Sequence, residues 1–214
     1  FLERGIRHFG VYEIGIEVYF EERRDNYIQT IQQAGYEVSV FSAAEDSEAP
    51  REWEKHQEQM ANWVRGLPKP VGIMACTDQL GFWLLDACDR AGISVPDEVA
   101  VVGVENDEIL CMMARPPLSR VAFNSARIGY EAAALLSRLM QGEPVPEEPF
   151  MIDPLGIVTR QSSDVVAVDD PELAMALRFI RENACRGIQV GDILKQVPLS
   201  RTALERQMKA AIGR

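Results

Sequence analysis

The stretch Val99-Ala100-Val101-Val102-Gly103-Val104 is apolar without interruption until it meets Glu105-Asn106-Asp107. A strand that faces water on one side alternates apolar and polar residues, whereas a strand covered on both faces is apolar throughout. Val71–Ala75 shows the same composition over a shorter length. Both stretches therefore predict central strands of a sheet that carries helices on its two faces.

Helices and strands are predicted to alternate around these two strands. The predicted order is strand 9–14, helix 22–34, strand 36–41, helix 53–66, strand 71–75, helix 80–91 and strand 99–104, and Gly35 and Gly92 end two of the helices. This alternation is typical of an α/β fold with a parallel sheet. Ligands of such sheets bind beyond the carboxyl ends of the strands. The candidate ligand loops are therefore those that follow Ile14, Ala75 and Val104.

The pattern changes in the second part of the chain. Two further strands are predicted over 119–123 and 155–160, with an amphipathic helix over 128–139 between them. The polar stretch 161–170 predicts a linker, and beyond it the pattern is purely helical, over 173–187, 190–197 and 201–211. Two helices joined by a turn of three to four residues, the second rich in Arg and Lys, are typical of a helix-turn-helix. The last of these helices has Ser200 as a good N-cap.

Charge is distributed unevenly between these two parts. The 214 residues have a formal net charge of −11, which excludes a nucleic-acid binder with a uniformly basic surface. Residues 171–214, however, hold eight basic and four acidic residues and so carry +4, which leaves −15 on residues 1–170. A small basic tail on an acidic body predicts two modules with different partners.

The sequence lacks the motifs typical of catalytic sites, metal sites and membrane spans. The sequence has no Walker A motif and no G-x-S-x-G elbow, and its two histidines lie far from any nucleophile of suitable type, so we do not expect an enzyme. The four cysteines form no C-x-x-C pair, and we expect them to be reduced, with the three in apolar stretches buried, as in a cytoplasmic protein. We expect no metal site, no cofactor and no membrane span, since the longest apolar runs are far too short.

Three motifs of the body resemble those of LacI-type regulators and type I periplasmic sugar-binding proteins. Val95–Val104 is similar to their VPEDVAVVG stretch, and Pro116–Val121 is similar to their PPLTTV crossover. Ala75–Asp78 resembles the NDxxA element at the end of a strand, although Thr77 and Gly81 depart from it.

The tail resembles a different family. The segment from Ile188 to Lys209 is similar to the first helix-turn-helix of AraC-type regulators. A LacI-like sensor joined to an AraC-type tail is the arrangement of the XylR-type xylose regulators, and the resemblance runs from about Gly5 to Arg214. It implies a parallel-sheet lobe of the type I periplasmic-binding-protein kind over 1–160, with part of it returning to a first lobe. A linker would then occupy 161–170, and a truncated helix-turn-helix domain 171–214. Phe1 begins as though inside an element, so we expect a fragment of a longer protein with half of a two-lobed sugar cleft.

The resemblance also points to ligand residues at the strand ends. Asp78 follows a buried strand and precedes a helix, where it could cap the helix, contact the ligand or do both. Glu105 ends the last apolar strand, where the family usually has Asp directed into the cleft. Arg23 lies near the place of the family's R-x-x-G-F arginine, although Arg24 competes for that role. Asn106 is expected in a turn. Carboxylates and guanidinium groups suit sugar hydroxyls because charge-assisted hydrogen bonds are stronger than neutral ones.

The last helix carries the predicted DNA contacts. By the resemblance, Thr202, Glu205 and Arg206 face base edges, where Arg can pair with guanine and Glu can accept from cytosine. Arg201 and Lys209 are better placed for phosphates, which supply affinity without sequence information. A solvated basic face on a small helical domain is the alternative.

These residues together predict a cytoplasmic, ligand-responsive transcription regulator. It would sense a sugar, xylose or a related pentose, in an interlobe cleft, and would bind a double-stranded DNA operator as a homodimer. The alternative is a sugar-binding protein with a helical extension and no role at DNA.

Overall fold

The computed structural model describes residues 1–15, 18–43, 52–105, 107–144, 146, 148–165 and 170–212. Within these described residues, six strands form one sheet in the order β2-β1-β3-β4-β5-β6. Their bounds are β1 His8–Ile14, β2 Val38–Ala43, β3 Val71–Ala75, β4 Val99–Glu105, β5 Ser119–Ala122 and β6 Gly156–Val158. All neighbouring pairs are parallel except β5 and β6, which are antiparallel. The predicted α/β class with a mostly parallel sheet is confirmed.

Helices follow most of the strands. They are α1 Val18–Gln33, α2 Trp53–Gly66, α3 Asp78–Arg90, α4 Glu108–Met113, α5 Ser125–Met140, α6 Pro171–Asn183, α7 Val190–Leu194 and α8 Arg201–Ile212. Gly35, after α1, has a φ of +86°, a left-handed conformation that glycine adopts without steric cost. Among the described residues, no helix is both long and apolar enough to cross a bilayer.

The helices cover the sheet on both faces. Phe9 of β1 packs in one apolar cluster with Ile31 of α1. Tyr12, three residues along the same strand, donates or accepts a hydrogen bond with His56 of α2 at 2.8 Å. Because successive side chains of a strand point to opposite faces, α1 and α2 lie on opposite sides of the sheet. The main core is fully buried around β1, β3 and β4, as the continuous apolar strands predicted.

Helix α5 stands apart from this core. None of its 16 residues is buried, and its apolar side chains Ile128, Tyr130, Leu136 and Met140 are exposed. The strand that follows, β6, is exposed throughout. The part of the chain predicted to return toward a first lobe includes these elements, and that assignment stays a prediction.

The last three helices form a unit with its own apolar cluster. Leu173 and Leu177 of α6 pack with Ile193 of α7 and Leu204 of α8. Asp170 caps α6 through Leu173 N at 3.3 Å, and Gln207 of α8 donates to the same carboxylate at 2.6 Å. The predicted cap of α8 is confirmed, since Ala203 N donates to the Ser200 hydroxyl at 3.2 Å.

Several predicted boundaries were wrong. Helix α4 was not expected, because its six residues are too few to show a helical period; the Asp107 carboxylate caps it through Leu110 N at 2.9 Å. The second strand begins and ends two residues later than predicted. The connection between α7 and α8 has six residues, 195–200, and not three to four.

The predicted linker also starts too early. Ser162 is fully buried; its hydroxyl accepts from Ser119 N at 2.8 Å and donates to the Val101 carbonyl at 2.7 Å. Val165 is buried against the α1 side of the sheet. Residues 161–165 therefore belong to the α/β lobe, because polar side chains in this stretch satisfy backbone groups of β4 and β5. Residues 166–169, the rest of the predicted linker up to Asp170, lie outside the described residues.

Candidate functional site

The carboxyl ends of three neighbouring strands meet at one edge of the sheet. In the register, Tyr12 lies beside Ala75 and Met74 lies beside Val102. The residues that follow these positions, among them Glu13, Asp78 and Glu105, are therefore brought to the same edge. This is the edge at which the sequence predicted a ligand.

Arg23 of α1 joins two of these strand ends. Its Nη1 donates to the Cys76 carbonyl at 2.7 Å and to Glu105 Oε1 at 3.3 Å. The guanidinium also lies over the rings of Tyr19, at 5.0 Å, and Phe123, at 5.1 Å. Aromatic faces attract a cation at such distances. The structure thus holds Arg23 between α1, β3 and β4 with its planar group at the edge of the sheet.

Of Glu13, Asp78 and Glu105, Glu105 is the one whose carboxylate solvent reaches. Its side chain is 38% exposed, against 20% for Arg23. Partial burial raises the pKa of Glu105, and the charge of Arg23 acts in the opposite direction. The backbone of Glu105 has a φ of +128°, a conformation that costs an ordinary residue about 1–3 kcal/mol. Strain of this kind is typical of functional positions, where the surrounding structure enforces it.

Asp78 lies beneath Glu105 and is fully buried. It is the first residue of α3 and not its N-cap; Thr77 is the cap, and its hydroxyl accepts from Leu80 N at 3.1 Å. The Asp78 carboxylate instead accepts from Asp107 N through Oδ2 at 3.1 Å. Asp78 therefore links the start of α3 to Asp107, the residue that caps α4.

A small space beneath the site accommodates this carboxylate. A Cβ atom on Gly103 would lie 2.6 Å from Asp78 Oδ1, so any other residue there would force the Asp78 carboxylate to move. Arg120, the register partner of Gly103 on β5, is buried nearby. Burial raises the pKa of Asp78, while its bonds from Asp107 and the Cys111 thiol and the charge of Arg120 act in the opposite direction. Opposite buried charges thus partly compensate each other under the ligand edge.

Sequence reasoning missed Glu13. Its side chain is almost fully buried at the end of β1, where Oε1 accepts from the Ser42 hydroxyl and lies 3.6 Å from Arg24 Nη1. Oε2 has no hydrogen-bond partner among the described residues. Arg24 therefore forms ion pairs with Glu13 and Asp25, while Arg23 forms an ion pair with Glu105. A single acidic residue inside the apolar stretch 9–14 was the signal that could have identified Glu13.

The chemistry of this edge suits a hydroxylated, uncharged ligand. A partly exposed carboxylate accepts hydrogen bonds from hydroxyl groups, a neighbouring guanidinium donates them, and the rings around Arg23 add an apolar surface. Asn106 lies outside the described residues. Within the described ranges, no group of three or more His, Cys, Asp or Glu side chains could hold a metal ion.

The helical unit presents the predicted basic surface on α8. The five residues predicted to contact DNA are all exposed, while Leu204 is buried beneath them; they are Arg201, Thr202, Glu205, Arg206 and Lys209. Arg201 Nε lies 2.8 Å from Glu205 Oε1. An exposed pair of this kind contributes little to stability, so both side chains are available to a partner.

Comparisons with known proteins agree with this geometry. The chain is 33% identical over 214 residues to the xylose operon regulatory protein of Escherichia coli K12, covering 99% of this chain and 54% of that protein. The protein of the same name from Haemophilus influenzae is 32% identical over 210 residues. The solved structure of the xylose-binding transcription activator xylR superposes with a TM-score of 0.80 at 32% identity, covering 100% of this chain and 56% of that one. The predicted resemblance to XylR-type regulators is confirmed, and the chain spans about half the length of these relatives.

The α/β lobe is also recognised by itself. The sequence profile of the periplasmic binding protein-like domain matches residues 1–163. The match ends where Ser162 and Ser163 close the lobe in the structure, ahead of the helical unit. The chain therefore belongs to the family of periplasmic binding protein-like domains.

Proposed function

We propose that this chain is the sensing and DNA-contacting part of a cytoplasmic transcription regulator that responds to a sugar, with xylose or a related pentose as the effector. The observation that carries the proposal is the Arg23–Glu105 pair, partly open to solvent at the carboxyl edge of the sheet. The relatives named above are xylose regulators, which supports a pentose. The protein would act as a homodimer on double-stranded DNA, with 1–165 as the lobe and 171–214 as a helix-turn-helix unit.

The three predicted ligand residues would have two kinds of role. Glu105 would accept hydrogen bonds from sugar hydroxyls and Arg23 would donate to them, since both reach the surface of the edge. Asp78 is fully buried and accepts a hydrogen bond from the backbone of Asp107, so it would act from beneath by holding the backbone close to Glu105. The sugar would therefore meet a carboxylate that is already oriented before it binds.

Titration calorimetry of the full-length protein with D-xylose, L-arabinose and D-ribose tests the sugar site. Glu105→Gln keeps the size and one acceptor oxygen but removes the charge, and a charge-assisted hydrogen bond contributes about 1.5–3 kcal/mol. We expect the dissociation constant of the preferred pentose to rise about 10- to 100-fold. Asp86→Asn, which removes an ion pair about two turns along α3 from Asp78, is the matched control and should bind normally. Unchanged affinity of Glu105→Gln would exclude this site.

A gel shift with promoter DNA, with and without the pentose, tests the regulatory role. DNA affinity should change on addition of the sugar, because a ligand that prefers one lobe arrangement shifts the population of the whole protein. Sugar binding without any DNA binding would favour the alternative, a sugar-binding protein with a helical extension.

A further inference from the structure

One carboxylate joins the helical unit to the α/β lobe. Asp97 lies in the turn 95–98 that leads into β4. Its Oδ1 is 2.6 Å from Arg181 Nη1, and its Oδ2 is 3.4 Å from Arg178 Nε. The Ser94 hydroxyl, on the residue just before the turn, donates to Oδ2 at 3.4 Å. Both oxygens of Asp97 are thus committed to α6, and the turn holds the carboxylate in place.

The arginines of α6 are arranged for this contact. Arg178 and Arg181 are three residues apart, so they lie on the same face of the helix. Arg181 also donates to the Asp164 carbonyl at 3.4 Å, and the Asp164 carboxylate is held by Arg4 at 3.1 Å. The end of the lobe and the start of the helical unit therefore share one set of ionic contacts.

The helical unit and the α/β lobe are each held together by apolar clusters, whereas the contact at Asp97 that joins them is ionic. The helical unit has an apolar cluster of its own, separate from the two clusters of the lobe. Apolar burial is roughly proportional to area and non-directional, whereas two guanidinium groups on one carboxylate define an orientation. The ionic contact at Asp97 is therefore suited to set the angle of the helical unit.

Asp97 and the proposed sugar carboxylate stand at opposite ends of one strand. Strand β4 runs from Val99 to Glu105, a length of about 20 Å at about 3.3 Å per residue. It is hydrogen-bonded on both sides, to β3 and to β5, and its centre is buried. A central strand of this kind moves as a rigid element with the lobe.

We propose that Asp97 is a positioning residue that fixes the helical unit to β4, and that this contact transmits the movement of the sugar-bound lobe to the DNA-binding helices. The inference rests on the proposed function for its sugar and DNA. Asp97 touches neither of them; it acts through Arg178 and Arg181.

The test compares Asp97→Asn with Asp86→Asn in the full-length protein. Asp97→Asn should leave the dissociation constant for D-xylose within about twofold, because the sugar site lies at the other end of β4. The ratio of DNA affinities with and without D-xylose should fall at least about threefold toward one, since coupling between sites requires that both bias the same element. Asp86→Asn removes another ion pair of the lobe and should keep the wild-type ratio. An unchanged ratio in Asp97→Asn would overturn the proposed coupling.

Two further measurements separate this proposal from the proposed function. Hydrogen exchange of the segment 171–183 should be faster in Asp97→Asn than in the wild type, and this readout needs neither sugar nor DNA. Unchanged exchange would overturn the fixing role even if the wild type fails to respond to D-xylose. The charge-swapped pair Asp97→Arg with Arg181→Asp should restore both slower exchange and the sugar-dependent ratio. If each single variant is defective and the swapped pair restores neither measurement, the ionic contact does not fix the helical unit to the lobe.

Discussion

Replacement of Glu105 by glycine should stabilise the protein relative to replacement by alanine, although both remove the same carboxylate. Glu105 has a φ of +128°, and holding a residue with a Cβ there costs about 1–3 kcal/mol. Glycine avoids that cost but loses about 0.5–1 kcal/mol through its greater freedom in the unfolded chain. Taking the middle of each range, the net difference should leave Glu105→Gly more stable than Glu105→Ala by about 1 kcal/mol.

Urea denaturation of the two variants, followed by tryptophan fluorescence, measures this difference directly. Ala122 is the register partner of Glu105 on β5 and, unlike Glu105, has no positive φ, so Ala122→Gly is the matched control. There glycine should destabilise, by about 0.5–1 kcal/mol. Neither variant at position 105 should bind a pentose normally. If Glu105→Gly is no more stable than Glu105→Ala, the backbone at this position is not strained and the argument for a pre-oriented carboxylate fails.

Three other predictions follow from contacts described above. Gly103→Ala should lower the free energy of unfolding by about 1–3 kcal/mol, because its Cβ would displace the Asp78 carboxylate; an unchanged urea midpoint would contradict this. Burial lowers the pKa of His56, so near pH 6.5 the unfolded chain takes up a proton more readily than the folded chain does. The free energy of unfolding should therefore fall as the pH drops below 6.5, by at most about 1.4 kcal/mol per pH unit. His56→Gln should flatten urea midpoints measured between pH 7.5 and 5.5, and an equally steep decline would exclude His56 as the cause. Arg206→Ala should relax discrimination at one operator base pair at a cost of about 1–3 kcal/mol, whereas Lys209→Ala should weaken gel-shift binding to all sequences alike; equal effects of the two variants would argue against the assigned roles.

The sheet could be predicted from sequence because its central strands are buried on both faces. Val71–Ala75 and Val99–Glu105 have no competing pattern, so their continuous apolar composition and their length were decisive. Short elements stabilised by single polar contacts were not predictable. Helix α4 depends on the Asp107 cap, and the end of the lobe depends on Ser162, whose partners lie 43 and 61 residues away.

The sequence predicted where the candidate site lies, but not which of its carboxylates is buried and which reaches solvent. That Asp78 and Glu105 come to one edge follows from the topology, which brings the strand ends together, whereas Arg23 of α1 was predicted from the family resemblance. That Asp78 is buried while Glu105 is partly exposed depends on the space over Gly103 and on the hydrogen bond from the Asp107 backbone, which are three-dimensional properties. Glu13 was missed because a single acidic residue in an apolar strand does not indicate its own partners. Its contacts with Ser42 and Arg24 are visible only in the structure.

The contact at Asp97 has a consequence for how such proteins can be recombined. This contact requires only one acidic residue in a loop of the lobe and two basic residues, three positions apart, on a helix of the other unit. A sensor lobe could acquire a different DNA-reading unit, or a designed chimera could exchange one, if those three side chains were kept and the apolar cores on either side were left untouched. Modularity at this junction would then follow from its small number of directional bonds, because neither module depends on the other for its own folding core.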